Sequence, residues 1–181
     1  MKIAMFPGAF KPPHVGHYTL LKKILPNVDD IYVIISPKSR VINSNREVDA
    51  RQSQQIWKTY LNNSKLSNSN KNKVHLSISK KSPILSAYSL ISDKLKNKKL
   101  KATDTVYLIK SSKDIANKRF DMFNRLKVNI VNQTLPKFKT ISSTNMRKAI
   151  QNNDYKTFTV FLPTVLTEKE KKDIWKNLSG R

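Results

Sequence analysis

The chain has 181 residues, 35 of them Lys or Arg against 12 Asp or Glu, for a formal charge of +23; 38% are hydrophobic and none is Cys. This length and apolar fraction suit one globular unit and exclude a disordered basic tail, while the lack of Cys excludes a disulfide, a thiolate zinc site and a cysteine nucleophile and suits a reducing, cytoplasmic setting. The longest apolar run, residues 31–35, falls far short of the roughly 20 residues of a membrane span, and the stretch 3–6 is too brief for a signal peptide, so no membrane partner is expected.

Short β-branched runs at residues 3–6, 31–35, 74–78, 106–109 and 128–131 read as strands, and segments of helical period lie between them near 15–25, 47–61, 84–96 and 114–124. Strict alternation predicts an α/β fold, a parallel sheet of about five strands with helices on both faces. Such a sheet takes its ligands at the carboxyl ends of the strands. On the second helix Trp57 and Tyr60 share a face with Ile56 and Leu61, a spacing that reads as core rather than as a stacking platform. The polar stretch 62–73, rich in Asn, Ser and Lys, reads as a surface loop.

Two helices are appended after the last strand. Ser143 is placed to cap one running from 144 to about 152, and Thr167-Glu168-Lys169-Glu170 reads as a capping box that opens a terminal helix with Ile174, Trp175 and Leu178 on an apolar stripe. That stripe suits a helix closing the sheet, and equally a face between copies in a homo-oligomer.

Two of the three Gly and two of the three His fall in one segment directly after the first strand, Gly8-Ala9-Phe10-Lys11-Pro12-Pro13-His14-Val15-Gly16-His17. A Gly at the strand end permits a sharp turn, the prolines stiffen the loop, and His14 and His17 at i and i+3 share one face of a first helical turn. The free N–H groups and positive dipole end of a helix N-terminus suit a phosphate. A zinc site is the competing reading of His-x-x-His, but zinc normally takes three or four protein ligands and no third is evident nearby.

This segment resembles the signature of the HIGH-motif nucleotidylyltransferases, Gly-x-Phe-x-Pro-x-His-x-Gly-His, at every fixed position: Gly8, Phe10, Pro12, His14, Gly16 and His17. A second segment, Ile141-Ser142-Ser143-Thr144-Asn145-Met146-Arg147, is similar to the Ile-Ser-Ser-Thr-x-x-Arg element of the adenylyltransferases of that superfamily. The likeness is nearer to the nicotinamide-mononucleotide and phosphopantetheine adenylyltransferases than to the cytidylyltransferases. It covers residues 1–163 as a nucleotidylyltransferase domain, with 164–181 as a C-terminal helix packed on the same unit.

The resemblance implies a Rossmann-like mononucleotide-binding sheet, ATP as the nucleotide with CTP and a phospho-alcohol or sugar-phosphate acceptor as the alternative, Mg²⁺ brought with the triphosphate, and transfer of a nucleotidyl group with release of pyrophosphate. In-line displacement at an α-phosphate asks mainly for positioning and charge neutralisation. His14 and His17 are suited to donate to the phosphate oxygens; Gly8, Ala9, Phe10 and Gly16 form the nucleotide loop; and Ser142, Ser143 and Thr144 offer hydroxyls and N–H groups. Arg147, one turn on, is suited to a bidentate grip on the β- and γ-phosphates.

The family often carries an acidic residue where this chain has Lys11, and no carboxylate lies in the loop to act as a general base. A phosphate monoester, with a second pKa near 6, is a nucleophile at pH 7 without one, which points to a phosphorylated acceptor with Lys11 helping to gather it. After the second strand, Lys38 is a candidate for the phosphates and Arg40 for the acceptor. In Ile109-Lys110-Ser111-Ser112-Lys113-Asp114, relatives carry a Gly and an Asp that contact nucleotide or acceptor; Asp114 matches, and Lys110 replaces the Gly.

The charge supports a competing reading from another class, a basic nucleic-acid-binding module. Of the 35 basic residues 28 are Lys, and they are accompanied by 17 Asn, so a compositional bias explains the field as well as a function does. Such a field attracts nucleotides and nucleic acids alike, and the basic runs lack the interleaved aromatics of a single-strand reader.

Overall fold

The first strand, β1 (Lys2–Gly8), buries both faces: Ile3 and Met5 belong to one apolar cluster, Ala4 and Phe6 to another. A strand apolar on both sides belongs at the centre of a sheet covered twice. The computed structural model, which describes residues 1–63, 66–111, 118–134 and 140–180, places it there. Its neighbours are β2 (Asp30–Ile35) and β6 (Thr105–Lys110), flanked by β5 (Val74–Ile78) and β7 (Asn129–Thr134), in the order β5-β2-β1-β6-β7. All four pairings are parallel. The expected Rossmann-like sheet of five strands is therefore the one observed.

One face carries α1 (Val15–Ile24), α2 (Ala50–Asn62), α5 (Ser143–Gln151), α6 (Tyr155–Val160) and α7 (Glu168–Ser179), the other α4 (Pro83–Lys96) and a 3-10 helix, Lys118–Arg125. Trp57 and Tyr60 are fully buried, in the core as their spacing predicts. The helix starts follow their caps. Asp49 and Gln52 close a capping box on α2, Ser82 caps α4 ahead of Pro83, and Thr167 with Glu170 forms the expected box on α7. Each such cap is worth about 1 kcal/mol. α7 buries Ile174 and Leu178 and lays Trp175 against Tyr155 and Phe158, so its apolar stripe closes the core beside α2, α5 and α6.

Several local expectations need correction. The cap of α5 is Ser142, whose hydroxyl accepts from Asn145 N–H at 3.1 Å, so the helix starts one residue earlier than expected and Ser143 is left for another task. Of the helix expected over 114–124, residues 114–117 lie outside the described residues and the rest is the 3-10 helix. The stretch 62–73 contains a short helix, α3 (Asn68–Asn72), and starts on the last residue of α2. An antiparallel hairpin, β3 (Arg40–Asn43) with β4 (Arg46–Val48), was not expected at all. Its signal was the Asn43-Ser44-Asn45 turn between short apolar runs, where Asn45 N–H donates to Asn43 Oδ1 at 3.1 Å. Among the described residues no helix is long and apolar enough to cross a membrane.

Candidate active site

Strand order reverses on either side of β1, so the crevice at its carboxyl end is where this topology takes a ligand. A cavity of about 650 Å³ opens there. Its wall draws on β1 and the loop after it (Phe6 to Lys11), α1 (His17), the β2 exit (Ser36, Lys38), β3 (Arg40), the start of α4 (Lys81 to Ile84), the β6 exit (Ile109, Ser111), the 3-10 helix (Arg119, Phe120) and α5 (Ser142, Ser143, Thr144, Arg147). Six cationic side chains stand in this wall, and among the described residues no Asp or Glu does. The arrangement selects a polyanion.

The loop after β1 is shaped by its aromatic residue. Phe10 takes a left-handed backbone, φ 52°, and folds its ring back over Gly8, where a Cβ would stand 2.7 Å from Phe10 Cζ. Glycine is required at position 8 by this contact. The ring then packs edge-on against Phe6 (5.1 Å between centroids), Trp57 (5.5 Å) and His17 (5.0 Å). Further along, the Lys11–Pro12 peptide is cis and Tyr60 Oη donates to Pro13 O at 2.9 Å.

His14 is the cap of α1, and its role there is reciprocal. Its Nδ1 accepts from Gly16 N–H at 3.2 Å, while its own N–H donates to His17 Nδ1 at 3.2 Å. The two rings stack at 3.7 Å and 25°. With both Nδ1 atoms accepting, the proton of each neutral imidazole sits on Nε2, which makes both rings donors. Burial pushes His14 down to about 4, and burial together with the adjacent His14 pushes His17 well below the ordinary value. Both are neutral donors at pH 7. His17 stands in the cavity wall and His14, 7% exposed, backs it.

The two sequence motifs, more than a hundred residues apart, are bonded to each other. Ser143 Oγ donates to Pro12 O at 2.8 Å and Arg147 Nη1 to Lys11 O at 2.6 Å, while Arg147 Nη2 donates to Thr144 Oγ1 at 3.4 Å. One edge of the guanidinium is thus committed to the loop rather than free as a fork. Burial, with Arg40 nearby, lowers the Arg147 pKa. Lys11 is more deeply placed than expected, 1% exposed, with its ammonium on the carbonyls of Ala9 (3.0 Å) and Ser36 (2.9 Å).

Of the expected site residues, Gly8, Ala9, Phe10, Lys11, His17, Lys38, Arg40, Ser142, Ser143, Thr144 and Arg147 share this one cavity. Gly16 serves it from behind through its bond to His14. Lys110 does not join them: its Nζ lies 4.7 Å over the Phe120 ring, and its neighbours Ile109 and Ser111 line the cavity instead. Asp114 lies outside the described residues. Lys81, Ser82, Arg119 and Phe120 belong to the wall and were missed. Only the Ser-Pro cap of α4 gave a signal for that side, because a helix start after β5 points its N-terminus at the same edge. Among the described residues no group of three or more His, Asp or Glu could hold a metal ion.

No family model matches the chain. A stretch of 37 residues is 54% identical to "Probable nicotinate-nucleotide adenylyltransferase" of Nitratiruptor sp., covering 20% of this chain and 21% of that protein. Over 49 residues it is 43% identical to phosphopantetheine adenylyltransferase of Mycoplasma capricolum, 27% of this chain and 31% of the relative. Over 35 residues it is 46% identical to nicotinamide-nucleotide adenylyltransferase of Pyrobaculum neutrophilum, 19% and 20% respectively. The matches thus span between a fifth and a third of these curated relatives. In fold the chain is similar to a bifunctional NMN adenylyltransferase/ADP ribose pyrophosphatase from Francisella tularensis, with TM-score 0.64 and 14% identity over 99% of this chain and 52% of that one. The resemblance seen in the two motifs is thus joined by short sequence likenesses to adenylyltransferases, and the Rossmann-like fold by the structural one.

Proposed function

We propose that this chain is an adenylyltransferase, moving the adenylyl group of ATP to a phosphorylated acceptor with release of pyrophosphate. The observation that carries the reading is the cavity at the β1 switch point: six cations, no carboxylate among the described lining residues, and two motif segments bonded to each other in its wall. Residues 1–163 carry the chemistry in this reading, and 164–181 close the core beneath it. ATP chemistry and the Cys-free chain both suit the cytoplasm.

In the reaction an oxygen of the acceptor's phosphate forms a bond to the α-phosphorus of ATP while the α-phosphorus bond to the β-bridging oxygen breaks, and pyrophosphate leaves with that electron pair. The acceptor dianion attacks without losing a proton, which a wall without a carboxylate base permits. His17, a neutral donor, offers Nε2–H to the α-phosphate oxygens as charge builds there. Ser142, Ser143, Thr144 and Arg147, at the positive end of α5, face the β- and γ-phosphates and neutralise the leaving group. Lys38 and Arg40 add charge from the β2 side. Mg²⁺ bound to the triphosphate would supply further neutralisation, and a donor set of hydroxyls without carboxylates fits an ion held by phosphate oxygens and water.

The test is pyrophosphate release with Mg²⁺, for ATP and CTP separately, against nicotinate mononucleotide, nicotinamide mononucleotide, phosphopantetheine, glycerol phosphate and phosphocholine. Acceptor-dependent release with ATP is expected. Release with CTP and a phospho-alcohol would move the assignment to a cytidylyltransferase. No release, no triphosphate binding, and nucleic-acid binding that survives moderate salt would move it to the basic module.

A further inference from the structure

Among the described residues Lys11 is the deepest cation of the cavity, and its charge has no counter-ion. An ammonium has three N–H groups. Two are used on the neutral carbonyls of Ala9 and Ser36, which leaves one. No carboxylate among the described residues pairs with it. Asp49, the cap of α2, is the acidic group whose field reaches it, but Asp49 Oδ1 is already engaged by Gln52 N–H at 2.7 Å. The other groups around it are the neutral His14 and His17 of α1, Lys38 in the β2 exit, Arg40 of β3 and Arg147 of α5, whose guanidinium holds Lys11's own carbonyl. None is negative. A buried charge without a partner is unfavourable, and the ammonium shows it: burial pushes its pKa down to about 8, opposed by Asp49 and assisted by Arg40.

We propose that Lys11 is the residue that selects the acceptor, and that the acceptor's phosphate dianion is the counter-ion its buried ammonium lacks. This rests on the adenylyl-transfer reading and adds to it the residue and the property by which the acceptor is read. Lys11 shares the wall with His17 and Arg147, so a phosphate drawn to its ammonium enters the same chamber as the α-phosphate. An acceptor with a neutral or singly charged group in place of the dianion forgoes this pairing.

Two substitutions separate charge from tether. Lys11→Gln keeps an N–H for the loop carbonyls and removes the charge; Lys11→Met removes both. In each, kcat/KM for the phosphorylated acceptor is expected to fall about 100-fold while KM for ATP changes less than about threefold. Wild-type kcat/KM for the acceptor should also fall above about pH 8, as the ammonium loses its proton, and both variants should lose that limb. The acceptor phosphate, with a second pKa near 6, is a dianion throughout that range and contributes nothing to it. Near-normal acceptor kinetics in Lys11→Gln would reduce Lys11 to a tether and overturn the proposal, as would equal losses for ATP and acceptor.

A binding experiment keeps the two readings apart. Calorimetric titration with a simple phosphate monoester, methyl phosphate, already mostly dianionic at pH 7, in the presence of saturating α,β-methylene-ATP, should show about tenfold weaker binding at pH 9 than at pH 7 for the wild type and weak binding at both for Lys11→Gln. Lys11-dependent phosphate binding without pyrophosphate release from any acceptor would leave this proposal standing and remove adenylyl transfer. Pyrophosphate release that is indifferent to Lys11 would do the reverse.

Discussion

The guanidinium of Arg147 donates to the backbone carbonyl of Lys11 at 2.6 Å, a bond that joins α5 to the loop after the first strand. Through it the cavity's cationic wall is built on backbone that two distant segments hold in common. A charge-assisted bond of this kind is worth about 1.5–3 kcal/mol, and the same side chain lines the cavity, at the leaving-group end in the proposed reaction. Arg147→Lys keeps the charge but cannot reach Lys11 O and Thr144 Oγ1 together. Steady-state kinetics should show kcat/KM for ATP reduced by about 10- to 100-fold. An unchanged value would mean that the bond to Lys11 is an ornament of the fold.

In the proposed reaction His17 is the donor to the reacting phosphate; its Nδ1 is held by a backbone N–H, so its orientation does not depend on substrate. His17→Ala is expected to lower kcat by about 100-fold or more. Circular dichroism should show the fold retained, because the backbone bonds His17 N to His14 O and Tyr18 N to His14 O remain.

Much of this was legible in the sequence because the motif residues act locally. A strand, a tight Gly turn and a helix start follow from residue types at short range, so Gly8, His14 and His17 could be placed before any fold was known. The Arg147–Lys11 bond was not legible, since a carbonyl acceptor leaves no trace in residue identity. Phe10 could be matched to a motif, but its folding back over Gly8 depends on the Phe6 and Trp57 rings that receive it. Arg119 and Lys81 were hidden for another reason: in a chain with 28 Lys, one more basic residue at a loop carries little information until the fold puts it on a wall. The missed β3–β4 hairpin is a case of strands too short for periodicity to register.

The paired histidines predict a sign for acid sensitivity. Their folded pKa values, about 4 for His14 and well below the ordinary value for His17, lie beneath the roughly 6.5 of an unfolded histidine. The unfolded chain therefore binds more protons between those limits, and the stabilisation these residues give is full above about pH 6.5 and is lost as pH falls toward 4. Histidine Cε1–H resonances followed by NMR should stay nearly constant for His14 and His17 from about pH 8 to 5.5. A midpoint near 6.5 for either would contradict the neutral-donor assignment.

Gly8→Ala places a methyl group 2.7 Å from the Phe10 ring. The ring packs against Phe6, Trp57 and His17 and can yield only by leaving those contacts toward the cavity it borders, so a cost of about 1–3 kcal/mol is expected. Because Phe10 also contacts His17, the displacement should reach the donor of the proposed reaction. Urea denaturation should show the lower midpoint, and kcat should fall more than KM for ATP rises.

Tyr60 shows the same logic from beneath the site. Its ring is fully buried against Tyr18 and Trp57, and its hydroxyl donates to Pro13 O at 2.9 Å, holding the loop one residue before His14. Burial raises its pKa, so the phenol remains a donor throughout the working range. Tyr60→Phe keeps the packing and strands a buried carbonyl, at a cost of about 1–3 kcal/mol in stability. The Pro13 carbonyl is free to move once released, and His14 moves with it. The variant should therefore lose kcat about tenfold beyond what its reduced folded fraction explains, measured well below its Tm. Full activity in a merely less stable Tyr60→Phe protein would show that the loop holds its shape without this anchor.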